Sequence, residues 1–345
     1  MLEMQGYFEE LRQAIEPDPQ RKREAQRADD PVRQHLESHW SFADRHVTTF
    51  LYGSYKRNTA VSDIKDVDIV VVTNHCKDDD PLDVLDELKA SLGHLYEAPD
   101  LADQRRSIRI DLPLPDVPGS ALTLDIVPAI YSGEPDEPLW IPDRDRLEWV
   151  SSHPQGHLQY TSDLNKESHQ GRAFVRLAKM VKWWWKYQFE LKRPGAAAHE
   201  RKPKGFWLEV MTGQYADLSK ASYPELIVSL LENSLADFRA FRTTGRLPEL
   251  DDPGLRGEKI GTSMTAEDFT LFLDTIEESL AWAQAALHAP TEDRAREYWE
   301  RFFGDKQAVA KAGGAGAALL GPAAVAGALR FPDQPVAPRG PRGFA

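Results

Sequence analysis

At 345 residues the chain can hold one large or two medium domains, and 41% hydrophobic with 28% charged residues mark a soluble globular protein. The net charge of −13 excludes a protein whose main ligand is a long duplex, because such binding needs clustered cations; nucleotides remain open, since Mg²⁺ and a few local lysines or arginines can hold them. The single cysteine, Cys76, excludes an intramolecular disulfide and has no partner for a zinc site, and residues 1–10 lack the apolar core of a signal peptide, so a reducing cytoplasm is expected.

Residues 1–30 are polar and read as partly helical, and residues 31–47 read as a helix leading into a short strand at 48–52. Gly53-Ser54 follows. Glycine lets the backbone turn and approach a ligand closely. Ser54 offers a hydroxyl and an amide N–H, a helix start after it would add further donors for a phosphate, and Arg57 lies within reach of the turn. Eleven residues later comes Asp66-Val67-Asp68-Ile69-Val70-Val71-Val72, read as a strand over 64–74. Asp66 and Asp68 are two apart and so share a face of that strand. The apolar run after them is that of a buried central strand. Leucines 82, 85, 88, 92 and 95 repeat with helical spacing. Residues 106–112 and 121–130 read as two strands joined by a Pro- and Gly-containing turn, and the second carries Asp125.

If the strands of Asp68 and Asp125 pair, three carboxylates meet. They would repel each other and take up protons unless a cation joined them. As oxygen ligands they suit Mg²⁺, and two such ions ~3.5–4 Å apart can activate an attacking hydroxyl and hold a leaving oxygen. Gly-Ser alone, or Asp-x-Asp alone, says little. The two at this distance, with a third strand-borne aspartate downstream, look like the metal-binding heart of a nucleotidyltransferase, with Asp66, Asp68 and Asp125 as its expected catalytic, metal-binding residues.

Beyond about residue 155 helical periodicity dominates, with helices near 164–191, 205–219, 223–242, 265–287 and 291–303. The expected class is α+β and bilobal: a mixed-sheet catalytic lobe with N-terminal helices over 1–155, a helical lobe over 156–304, and a Gly/Ala/Pro-rich tail over 305–345. A cleft between lobes is the default nucleotide pocket. Arg172, Arg176, Lys179 and Lys186 share one helix face with Lys182 at its edge; the stripe either holds a donor triphosphate or is simply solvated. Trp183, Trp184 and Trp185 cannot share one face, so one is expected in the core, one between lobes and one exposed. Residues 312–329 carry no charge, but they are mostly Gly and Ala around Pro322 and read as a linker or lightly packed helix rather than a membrane span.

Several segments occur in one order over about residues 30–290: Gly53-Ser54 with Thr59, Asp66-Val67-Asp68, Leu124-Asp125-Ile126-Val127-Pro128, Trp140-Ile141-Pro142-Asp143-Arg144, Asn165-Lys166, Phe174-Val175-Arg176-Leu177-Ala178-Lys179 running into Lys182-Trp183-Trp184, and Leu208-Glu209-Val210. On these residues the chain resembles the bacterial cGAS/DncV-like nucleotidyltransferases (CD-NTases), relatives of cyclic GMP–AMP synthase and 2′-5′-oligoadenylate synthases. The resemblance implies joining of nucleoside triphosphates, ATP among them, into cyclic di- or trinucleotides or short oligonucleotides, as alarm signals in anti-phage CBASS operons. It implies two Mg²⁺, replaceable by Mn²⁺, on Asp66, Asp68 and Asp125, donor phosphates on Gly53 and Ser54, and Lys179 as the phosphate lysine. Gly205, Phe206 and Trp207 stand where relatives often carry a phosphate-touching serine, a departure that puts that contact in doubt. The Pro- and Gly-rich tail ending Arg342-Gly343-Phe344-Ala345 is similar to tails that ubiquitin-like machinery conjugates to other molecules, which implies a regulatory or conjugating protein partner; the alternative is a terminus with no role. No Cys/His zinc insertion is present, so activation by DNA in the animal manner is not expected. The rival readings are transfer to an RNA end or a protein, and a non-catalytic nucleotide-binding module.

Overall fold

The computed structural model describes residues 3–62, 66–97, 100–113, 121–133, 137–192 and 203–305. In chain order these form α1 (Gln5–Ala14), α2 (Pro19–Arg27), α3 (Asp29–Ser38), β1 (His46–Tyr52), α4 (Gly53–Lys56), β2 (Asp66–Thr73), α5 (Pro81–Leu92), β3 (Leu101–Asp103), β4 (Ile108–Pro113), β5 (Ala121–Tyr131), β6 (Leu139–Asp143) and β7 (Glu148–Ser152). Then come α6 (Pro154–Glu167), α7 (Ala173–Lys186), α8 (Gly205–Tyr215), α9 (Tyr223–Phe238), α10 (Phe241–Thr244), the short pair β8 (Glu249–Asp251) and β9 (Lys259–Gly261), α11 (Ala266–Leu287) and α12 (Glu292–Phe303). The class is the expected α+β.

By internal contacts the chain divides into two compact units. A sheet unit runs from Asp18 to Arg57 and resumes up to Tyr160; a helical unit takes the chain up to Pro17, a short segment starting at Asn58, and Thr161 onward. The sheet is ordered β1-β2-β5-β4-β3, with β6 added to the end of β5 and β7 to β6. Among the described residues, β2 and β5 are the one parallel pair of this sheet. Ile69 to Thr73 are all buried, as a central strand covered on both faces requires. Val70, Val72, Val127, Ala129, Leu139 and Ile141 form one apolar cluster. Helix α5 starts at Pro81, whose missing N–H suits a first helical position, with the Asp80 side chain accepting from Leu82 N at 2.8 Å. It buries Val84, Leu85, Leu88 and Leu92; Leu82 and Leu95 are only half-buried, and Leu95 lies past the helix end.

The helical unit departs from expectation in three places. The helix expected over 164–191 is broken: α6 ends at Glu167 and α7 begins at Ala173, with Gln170 and Gly171 both at positive φ. Buried side chains make the break. Ser168 Oγ accepts from Ala173 N (2.9 Å) and Phe174 N (3.1 Å), and Asn165 Oδ1 accepts from Val175 N (3.0 Å), so the orphan donors of α7 are satisfied. Secondly, all three tryptophans are buried, none being more than 7% exposed. Helix α7 packs against α8, α9 and α12, so it is covered on several sides rather than along one stripe. The indole N–H of Trp183 finds Phe303 O at 2.8 Å, and that of Trp184 finds Ser279 Oγ at 2.9 Å. Thirdly, α1 packs with the helices, Phe8, Leu11 and Ile15 joining the helical core. Among the described residues no helix is long and apolar enough to cross a membrane. Residues 312–329 and the rest of the tail lie outside the described residues.

Candidate active site

The site grows out of strand register. Asp68 pairs with Asp125 across the parallel β2–β5 ladder, Tyr52 pairs with Asp68 from β1, and Arg109 pairs with Asp125 from β4. Laterally paired residues share a face, and adjacent strands lie about 4.8 Å apart. One row of that face is therefore Tyr52, Asp68, Asp125, Arg109. The next row is Asp66, Thr123, Asp111, set by the Asp66–Thr123 and Asp111–Thr123 pairings. The three aspartates expected to bind metal stand at neighbouring positions of one sheet face, Asp66 exposed and the other two half-buried. The backbone aligns them; among the described residues no three acidic, histidine or cysteine side chains converge as a ready cation cage.

Gly53 sits at φ +73°, a conformation that side chains other than glycine's rarely adopt. A β-carbon there would fall 2.7 Å from Asp68 Cγ, so the Asp68 carboxylate rests directly over the turn. Ser54 is half-buried in the one-turn α4, and Arg57 closes that turn, its N–H donating to Gly53 O at 3.1 Å. The Arg57 side chain is 4% exposed and its charge bears on Tyr52. Burial, and then the charge of Asp68, pushes the Tyr52 hydroxyl up to about 12, with Arg57 and Arg106 opposing.

Electrostatically, burial and negative charge outweigh the nearby positive charge at Asp125. Burial and then the negative charge of Asp66 raise the Asp125 carboxyl, against Arg109 and a hydrogen bond from Ser107. Arg109 is itself engaged by Asp111, whose carboxyl is lowered first by the hydrogen bond from Thr123 and also by Arg109. Such a face attracts cations and can bring an anionic substrate in with them.

Lys179 and Lys182 lie in the helical unit. Lys179 is 2% exposed, and its ammonium donates to both Glu16 oxygens (2.7 and 2.9 Å) and to Asn58 Oδ1 (3.4 Å). Lys182 donates to Glu209, to Thr59 O (3.1 Å) and to Thr59 Oγ1 (3.3 Å). Neither belongs to a solvated stripe. Glu209, of the Leu208-Glu209-Val210 segment, is 2% exposed and serves as the buried partner of Lys182. Trp207, at the position of the departure noted above, is a core residue.

Sequence reasoning missed Arg109, Asp111, Thr123 and Tyr52 on the carboxylate face. Part of the signal was present: Arg109 and Asp111 alternate with Ile108 and Ile110, which opposes a charged side to a buried one but does not name the strand that the charged side accompanies. The structural meaning of Asp143 was also missed. It is fully buried at the end of β6, clamped by Arg105 (2.8 Å) and Arg106 (2.7 Å). Burial would raise its carboxyl, yet the two guanidinium hydrogen bonds outweigh that and hold it at about 2.

Residues 2–165 match the Second Messenger Oligonucleotide or Dinucleotide Synthetase domain. The chain is 34% identical over 356 residues to a cyclic AMP-AMP-AMP synthase from an Acinetobacter species, covering 99% of this chain and 97% of that one. Among solved structures, the Bradyrhizobium diazoefficiens CD-NTase CdnG in complex with GTP has a TM-score of 0.69 at 16% identity, over 89% of this chain and 96% of that one. Escherichia coli CdnC with ATP has a TM-score of 0.64 at 18% identity, over 84% and 94%. At those identities the structural likeness is one of fold, while the Acinetobacter relative matches along nearly the whole length. Taken with the carboxylate face above a glycine turn, these matches show that the chain belongs to the bacterial cGAS/DncV-like nucleotidyltransferases, enzymes that build cyclic oligonucleotide second messengers.

Proposed function

We propose that this protein joins nucleoside triphosphates, ATP among them, into a cyclic trinucleotide with release of pyrophosphate, using Asp66, Asp68 and Asp125 as its catalytic residues. The observation that carries the reading is the register of β2 and β5, which sets Asp125 beside Asp68 over the Gly53-Ser54 turn. The relative at 34% identity is a cyclic AMP-AMP-AMP synthase, so a ring of three adenylates is the product to seek first.

The donor set suits Mg²⁺: carboxylate oxygens on one face, with burial and Asp66 raising the Asp125 carboxyl. Asp66, Asp68 and Asp125 would hold two Mg²⁺, or Mn²⁺ in their place, and bound ions would make the acceptor hydroxyl more acidic and offset the charge of the departing pyrophosphate. The chain's own residues do the rest. The turn at Gly53 brings backbone close to the donor phosphates, Ser54 gives them a hydroxyl and an amide, and Arg57 adds buried positive charge beneath. Lys179 is assigned a phosphate contact, for which its ammonium would exchange Glu16; Lys182, tied to Glu209 and Thr59, holds that segment in place. The acceptor hydroxyl oxygen forms its bond to the α-phosphorus as the bond from that phosphorus to the bridging oxygen breaks, and the hydroxyl proton passes to solvent. A last transfer within the linear product closes the ring.

A cytoplasmic role in anti-phage signalling, with a regulatory or conjugating partner on the tail and no DNA activator, completes the proposal. The test is incubation of the full-length protein with the four ribonucleoside triphosphates and Mg²⁺ or Mn²⁺, read by mass spectrometry. A cyclic product is expected, abolished by chelator and by Asp66→Asn or Asp125→Asn. Nucleotide appearing only on added RNA or protein would overturn the reading.

A further inference from the structure

Strand order gives the carboxylate face a direction. Gly53-Ser54 follows β1, the aspartates lie on β2 and β5, and Arg109 lies on β4 beyond them. Ile108 and Ile110 on either side of Arg109 are fully buried, so Arg109 and Asp111 point outward on the aspartate side. Arg109 Nε and Nη2 stand 3.3 and 3.2 Å from one and the same Asp111 oxygen, and Nη2 is 3.2 Å from Thr123 Oγ1. Thr123 donates to that Asp111 oxygen at 2.6 Å. The guanidinium thus shares one acceptor atom instead of gripping two oxygens in a fork, which is its stronger geometry. Both side chains of the pair are well exposed, 39% and 54%, so the pair is weak and easily exchanged.

The donor's phosphates are assigned to the Gly53-Ser54 end of the face. The acceptor hydroxyl must then approach from the other side of Asp125, which is the β4 side. There Arg109 stands one strand spacing, about 5 Å, from Asp125 at the backbone.

We propose that Arg109 is the acceptor-side phosphate ligand, taking the 5′-triphosphate of the accepting nucleotide in place of Asp111. Asp111 and Thr123 hold the guanidinium over the face until that anion arrives. The assignment rests on the nucleotidyltransferase reading of Asp66, Asp68 and Asp125. It confines Arg109 to the first joining step, because the nucleotide that accepts next carries a phosphodiester at its 5′ position, and in ring closure the remaining 5′-triphosphate must occupy the donor position and lose pyrophosphate.

The experiment gives the full-length protein 2′,3′-dideoxy-ATP, a donor that cannot accept, and as acceptor either α,β-methylene-ATP, which carries a 5′-triphosphate but cannot donate, or AMP, which lacks it. Addition of the terminator is followed by mass. The wild type should show a KM about tenfold to a hundredfold lower for the triphosphorylated acceptor. Arg109→Gln should erase that preference by raising only the triphosphorylated KM, and Arg109→Lys should restore part of it. Asp111→Asn should lower the triphosphorylated KM severalfold, which keeps the proposal open to refutation if Arg109→Gln folds poorly. Equal loss with both acceptors in Arg109→Gln, or a wild type that does not discriminate, overturns it. Pyrophosphate release from ATP by the wild type is measured alongside: its absence would overturn the underlying reading as well, whereas its presence with no discrimination overturns the Arg109 assignment alone.

Discussion

Asp125 illustrates how a residue assigned to chemistry weakens the fold around it. Burial and the charge of Asp66 raise its carboxyl above the ordinary value. A carboxyl raised in the folded state favours folding only at acid pH, and that contribution is lost as pH rises through the folded value. At neutral pH the ionised Asp125 therefore opposes folding. Asp125→Asn should raise the melting temperature in chelator by a few degrees, about the effect of ~1 kcal/mol, while abolishing product. The gain should shrink when Mg²⁺ is present. A lower melting temperature in chelator would contradict the electrostatic account. At this scale the sequence is informative where a residue's role follows from its own strand: Asp66 and Asp68 share a face by spacing alone. Arg109 was not legible as part of the site, because alternation places Arg109 and Asp111 on one side of β4 without saying which neighbouring strand that side meets.

Among the elements, the junction of α6 and α7 and the end of β6 are both set by buried polar side chains. Ser168 receives two backbone N–H groups and Asn165 a third, so removing either oxygen strands donors in the core. Ser168→Ala should cost about 1–2 kcal/mol of stability, measured by urea unfolding, with little change in the KM for ATP. Periodicity could not show this break, because the segments before and after it are both good helix formers. Gly171 and the serine three residues before it were the available sign. The Asp143 clamp makes a pH prediction. Its folded carboxyl lies at about 2, below the unfolded value, so its stabilisation is present above roughly pH 4 and is lost as pH falls toward 2. Asp143→Asn should flatten the acid limb of the stability profile over that interval and lower stability at neutral pH. An unchanged acid limb would show that the clamp does not set it.

For the whole molecule, the two compact units do not follow chain order. Alternation and helical periodicity identify the sheet and the helices correctly as classes, but both are local signals and cannot report that α1 returns to pack with helices more than 150 residues away. Phe8 is fully buried, with its ring 5.1 Å from that of Trp299 and 6.2 Å from that of Phe303. Phe8→Ala should therefore destabilise the helical unit by about 3–5 kcal/mol, a deficit visible in thermal melting. If the melting of the protein is unmoved by this change, α1 is not part of that core.

The crowding of Gly53 by Asp68 bears on how this lineage can drift. A β-carbon at position 53 demands both a left-handed backbone and withdrawal of the Asp68 carboxylate, which the proposed function assigns to catalysis, so neither position can be altered first without harm. A descendant that had abandoned catalysis would be released from both demands at once. A side chain at the site of this glycine would then serve as a visible mark of an enzyme that has become a bystander.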